Sequence, residues 1–134
     1  RGLPDAPDPL EDSTIEVFAK ERYGDKAFAI DEFSELAEHL SKVHPSRYRA
    51  LIGDTDVLVL HNVETITEQS VALRFVVLAD RLYDKDVPIV ASGKPFSALF
   101  TPEMMAGGYQ KKYFRAVSRL TALAREGQAG EPAL

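Results

Sequence analysis

Two short apolar runs, VLVL at 57–60 and VPIVAS at 87–92, bracket one long segment of helical character. In that segment Val71, Ala72, Leu73, Phe75, Val76, Val77, Leu78, Ala79 and Leu82 cover most of a helical circumference. Runs this continuous suit strands buried on both faces, and a helix apolar on so many sides is covered on more than one. Strand, helix, strand, with a connection long enough for the helix, is the pattern of a right-handed parallel crossover. The expectation is therefore an α/β fold, with a short parallel sheet whose strands lie near 27–30, 56–61 and 87–92, covered by helices.

The rest of the chain fits around that unit. IEVFAKERY spaces Ile15, Phe18 and Ala19 as a short helix, and AFAI at 27–30 reads as a strand. Asp31 is placed to cap a helix carrying Phe33, Leu36, Ala37, Leu40 and Val43. Pro45 suits a first helical turn, followed by a buried stripe of Tyr48, Leu51 and Ile52, with Asp54 marking the turn into the second strand. Thr67 is the expected N-cap of the long helix, with Glu68 complementing its N-terminus. Gly93 and Pro95 end the third strand, a short helix lies around 97–100, and Gly107-Gly108 form a hinge. The last helix turns Tyr113, Ala116, Val117, Leu120 and Leu123 inward. RGLPDAPDPL at 1–10 reads as an extended linker entering from something upstream, so that 11–126 form a single domain and 127–134 a flexible tail.

Composition narrows the function classes. The 134 residues are 45% hydrophobic and 28% charged, which is ordinary for a globular domain. No apolar run approaches the ~20 residues that span a bilayer, so no membrane insertion is expected. The absence of cysteine excludes disulfide and thiol chemistry and fits a cytoplasmic location. A net charge of -5 argues against wholesale nucleic-acid binding.

Few residues offer chemistry. The second strand runs into His61 and Asn62, where strands of nucleotide hydrolases carry a pair of acids that serve Mg²⁺ and the attacking water. Neither residue brings the negative charge that holds a divalent ion, and both read as loop residues satisfying local hydrogen bonds. Lys94 in SGKP imitates a phosphate loop, but Pro95 stands where Ser or Thr is required. His39, His44 and His61 lack zinc-site spacing and suit surface or capping roles. On the last helix, opposite the apolar stripe, lie Lys111, Lys112, Arg115, Ser118 and Arg119, with Arg115 and Arg119 one turn apart. They are either a solvated basic face or two fixed guanidiniums facing phosphate or a carboxylate cluster.

The stretch ALRFVVLADRLYDKDVPIVASGKPFSALF, followed by YFRAVSRLTAL, resembles the C-terminal part of a P-loop ATPase family. That family contains the bacterial cell-division ATPase ZapE and the mitochondrial proteins named after ATPase family gene one. The shared pattern is Arg74-Phe75, Leu82-Tyr83-Asp84, the strand at 87–92 ending in Ser92, and Arg115, Ser118, Arg119 and Leu120. The match is looser over 27–66, where Ser34 stands in a position often held by Cys. RGLPDAPDPL resembles the stretch that follows an Asp-Tyr-Arg motif in actinobacterial members. The resemblance implies a partial P-loop-type, three-layer unit from the C-terminal portion of an AAA-type ATPase. It implies that the phosphate loop and metal-binding acids precede Arg1, so the parent uses ATP and Mg²⁺ while the fragment binds neither and is inactive alone. It further implies an upstream ATPase core as partner, a homo-oligomeric parent, and a protein client or cell-division protein. Arg119 and Arg115 become candidates for an arginine finger or sensor. A non-catalytic protein-interaction module is the other reading.

Overall fold

The computed structural model describes residues 7–128. Its sheet has three parallel strands in the order β1-β2-β3, with β1 at Phe28–Glu32, β2 at Val57–Val63 and β3 at Ile89–Gly93. β1 pairs with β2 from Phe28↔Val57 to Glu32↔His61, and β2 with β3 from Leu58↔Ile89 to Leu60↔Ala91. The second ladder then slips to Val63↔Gly93, across Asn62 at φ 60°. Gly93 answers the slip with φ +96°, and a Cβ there would lie 2.3 Å from the Val63 amide nitrogen. No other residue type fits that crossing.

Among the described residues the α-helices are α1 (Ile15–Tyr23), α2 (Phe33–Lys42), α3 (Tyr48–Leu51), α4 (Gln69–Lys85), α5 (Pro102–Ala106) and α6 (Gln110–Gln128). Strand alternation sorts the core into two clusters. Leu58, Leu60, Ile89 and Ala91 face the larger one with α2, α4 and α6, where the Phe33 and Phe75 rings stack at 5.0 Å. Val57, Val59 and Val90 face the other way, onto Ile15 and Ala19 of α1. Three layers result, with α4 as the crossover between adjacent parallel strands β2 and β3. The expected three-layer parallel unit is present.

Local signals were less faithful than the hydrophobic pattern. Asp31 does not cap α2; it stands in the β1 ladder opposite Leu60, and extended Glu32 precedes the helix without a side-chain cap. Thr67 does not cap α4 either, because the helix starts at Gln69 after extended Glu68. Leu51 is exposed, while Tyr48 and Ile52 are buried. Pro45 opens a short 3₁₀ turn as expected, with His44 Nδ1 accepting from the Ser46 amide at 3.1 Å. Arg74 closes the C-terminus of α2, donating from Nη1 to the Leu40 and Val43 carbonyls at 3.2 and 3.3 Å.

The expected linker at 1–10 lies partly outside the described residues, but Leu10 already bridges Ser92 in parallel. At the other end α6 continues two residues into the segment expected to fray. A Cβ on Gly127 would meet the Ile89 carbonyl oxygen at 2.0 Å, so the helix touches β3 there. Residues 129–134 lie outside the described residues. None of the described helices is long and apolar enough to cross a membrane.

Candidate functional site

Two charged clusters are built on this frame. The first sits at the carboxyl tip of β2, where ligands are held in open parallel sheets. His61 is the fifth residue of β2, and its side chain is only 15% exposed. Its Nδ1 lies 2.6 Å from Asp12 Oδ1 and its Nε2 lies 2.8 Å from Glu16 Oε2. Both acids come from the layer on the far side of the sheet, Asp12 from the turn before α1 and Glu16 from its first turn. Ser92, 1% exposed at the tip of β3, donates its hydroxyl to Asp12 Oδ1 and accepts from the Asn62 amide at 2.9 Å. The Asn62 side-chain amide donates to Glu32 Oε2 at 3.0 Å.

Protonation follows from these contacts. The Ser92 hydroxyl first, and His61 second, hold the Asp12 carboxyl below its ordinary value. Burial works to lower the His61 pKa, but hydrogen bonds to Asp12 and Glu16 outweigh it, and the imidazole is raised above its ordinary value. Two carboxylates flanking both ring nitrogens favour the doubly protonated ring, because each nitrogen can then donate. His61 is therefore neither a surface nor a capping histidine. Asp12 and Glu16 are committed to His61 and Ser92, and no group of His, Asp or Glu among the described residues is disposed to hold a metal ion. With their oxygens held by His61 and Ser92, the carboxylates at this tip do not fit Mg²⁺.

The second cluster lies on the seam between α4 and α6. Arg115 and Arg119 are neither a free solvated face nor set against a carboxylate cluster, because both donate to the one carboxylate of Asp80. Arg119 donates from Nη1 to Asp80 Oδ1 at 2.7 Å, and Arg115 from Nη2 to Asp80 Oδ2 at 3.2 Å. The Arg119 guanidinium carbon stands 4.9 Å from the centre of the Tyr83 ring, a cation–π distance. Asp80 is 17% exposed, Arg119 31% and Arg115 44%. Leu82-Tyr83-Asp84 and the closing Arg-x-x-Ser-Arg-Leu thus meet in space. Lys111, Lys112 and Lys94 are exposed and join neither cluster.

The sequence signal that could have found the first cluster is the Asp12-x-x-x-Glu16 spacing, which sets the two acids about one turn apart at the entry to the first helix. What it could not supply is the partner, 49 and 45 positions away.

Comparison with known proteins identifies the chain's family. The AFG1-like ATPase family model matches residues 3–130, and the chain belongs to that family. Neither a curated protein nor a solved structure matches it.

Proposed function

We propose that this AFG1-like chain is the C-terminal, non-hydrolysing α/β domain of an AAA-type P-loop ATPase, and that it presents Arg119 and Arg115 to nucleotide bound elsewhere in the parent. In this reading residues 1–10 lead in from an upstream core that holds ATP and Mg²⁺. The parent is a cytoplasmic homo-oligomer that works on a protein client or a cell-division protein. The observation that supports it most is the charge ratio at the α4–α6 seam, where two guanidiniums share the single carboxylate of Asp80. One positive charge is left over, on side chains whose orientation Asp80 and Tyr83 already fix. A guanidinium held against a transferring phosphoryl group neutralises the charge that develops there, and pre-orientation removes the ordering cost.

The test is made in the full-length parent. Arg119→Ala is expected to lower ATP turnover by about 10³ or more, the range of an arginine finger. If the arginine acts across a subunit boundary, mixing that variant with an inactive phosphate-loop variant restores part of the activity. Turnover within a factor of two of the wild type, together with a lower melting temperature, overturns the proposal.

That outcome would favour a second reading, a protein-interaction module that docks the client. Its specific support is that both arginines have Asp80 as a partner, while Tyr83 and Phe114 on the same two helices are each 44% exposed.

A further inference from the structure

The two edges of the sheet are treated unequally. On the outer edge of β3 the Leu10 amide donates to the Ala91 carbonyl at 3.2 Å, and the Ala91 amide donates to Gln128 Oε1 at 2.8 Å. At the opposite end of the strand order β1 pairs only with β2 among the described residues. The Ala27 carbonyl accepts from the Val57 amide within that pairing, so the amides and carbonyls of Phe28 and Ile30 turn outward. An edge of this kind is a template for another strand, and natural edges are blunted with lysine, proline or a bulge. FAIDE carries no lysine, proline or bulge, and its two charged side chains, Asp31 and Glu32, are both acidic, so the edge repels acidic strands rather than basic ones.

Side chains on either side of that edge define what it suits. On the face of Ala29 and Asp31 a cleft of about 390 Å³ opens between β1, α2, α3 and α4. Leu36, Leu58, Leu78 and Leu82 line it below, and Asp31, Glu35 and His39 stand at its polar margin. Neither acid is in an ion pair among the described residues, and burial raises the Asp31 carboxyl despite the opposing charge of His39. On the other face of β1, Phe28 is half-buried and Ile30 is 42% exposed.

We propose that the β1 edge and this cleft form a docking site for an extended segment of another protein that alternates apolar and basic residues. The segment adds a fourth strand through the outward backbone groups of Phe28 and Ile30. Its apolar side chains cover Phe28 and Ile30. On the cleft face a lysine or arginine lays its aliphatic stem on the leucines and brings its charge to Asp31 and Glu35. A second copy of the chain is the poorer occupant, because its own β1 would set Asp31 and Glu32 against the same acids. This inference does not depend on the role given to Arg119.

Fluorescence anisotropy of the 134-residue chain with labelled acetyl-Val-Lys-Val-Lys-Val-amide tests it. Saturable binding that weakens with salt is expected. Methylating the alternate amide nitrogens that face β1, or replacing both lysines with glutamate, should weaken binding by about tenfold or more. Glu35→Gln, on an exposed helical position outside the ladder, should weaken the lysine peptide several-fold without changing the melting temperature. The proposal is overturned if the lysine peptide does not saturate, or if the methylated or glutamate peptide binds equally well. Sedimentation of the chain as a dimer that Ile30→Lys dissociates would also overturn it, in favour of self-pairing.

Discussion

At the tip of β2 one imidazole stands between two carboxylates, and on the α4–α6 seam one carboxylate stands between two guanidiniums. The first cluster, with its ring charged, carries a net negative charge and the second a net positive one. The first fastens a separate layer, α1, across the sheet. The second joins two helices that the core already packs together. The first is built on a titratable imidazole whose pKa Asp12 and Glu16 hold above its ordinary value, whereas the second is built on guanidiniums. Similar contacts thus differ in charge balance: one is sensitive to pH, the other leaves a guanidinium charge in excess.

That contrast can be broken or sharpened by a graded series. Phe75→Ala sets the scale, since neither cluster is the core. Emptying a site 4% exposed and stacked on Phe33 should cost about 3–5 kcal/mol of unfolding free energy in denaturant titration. A loss under about 1 kcal/mol would mean that α4 is not packed as described.

Asp80→Ala comes next. It leaves two adjacent guanidiniums without a counter-charge, and an unfolding cost of about 2 kcal/mol is expected, reduced from the fully buried case by the exposure of both arginines. Restoring most of that stability with 1 M salt would confirm repulsion as the cause; no response to salt would contradict it.

His61→Ala should cost less, about 1 kcal/mol, because its partners Asp12 and Glu16 are 47% and 44% exposed. Its pH signature is more telling. The raised His61 pKa makes its contribution fully present below about pH 6.5, the ordinary histidine value, and lost as pH rises through the folded value. The lowered Asp12 pKa makes its contribution present above about pH 3.8 and lost as pH falls through the folded value. The stability difference between wild type and His61→Ala should therefore be largest between those limits and shrink as pH rises through the folded histidine value. A difference that grows from pH 6 to pH 8 would contradict the clamp. Smallest of all, Lys111→Ala should change stability by less than about 0.5 kcal/mol and leave turnover of the parent unchanged.

The sequence made the fold legible where burial was continuous. VLVL, VPIVAS and the apolar circumference of α4 needed no partner to be read, since a side chain buried on any face must be apolar. The short-range capping signals at Asp31 and Thr67 failed for a physical reason: ladder pairing with Leu60 held Asp31 extended, and the chain stayed extended through Glu68 before α4 could begin. Arg115 and Arg119 were legible as a pair because they share one helix. Their partner Asp80 lies on another helix, so the choice between a free and a paired face required the α4–α6 packing. The clamp on His61 was not legible at all, because it depends on α1 lying against the opposite face of the sheet.

Gly127 gives the seam a mechanical character. With the helix backbone seated on the Ile89 carbonyl, the C-terminal end of α6 cannot slide or rotate without moving β3. Arg119 lies two turns nearer the N-terminus on the same rod, about 12 Å away at the α-helical rise. The helix is a lever whose fulcrum is a strand edge and whose working arm carries the guanidiniums. Even a methyl group at 127 would act as a shim, tilting the arm and shifting charge at a site it does not touch.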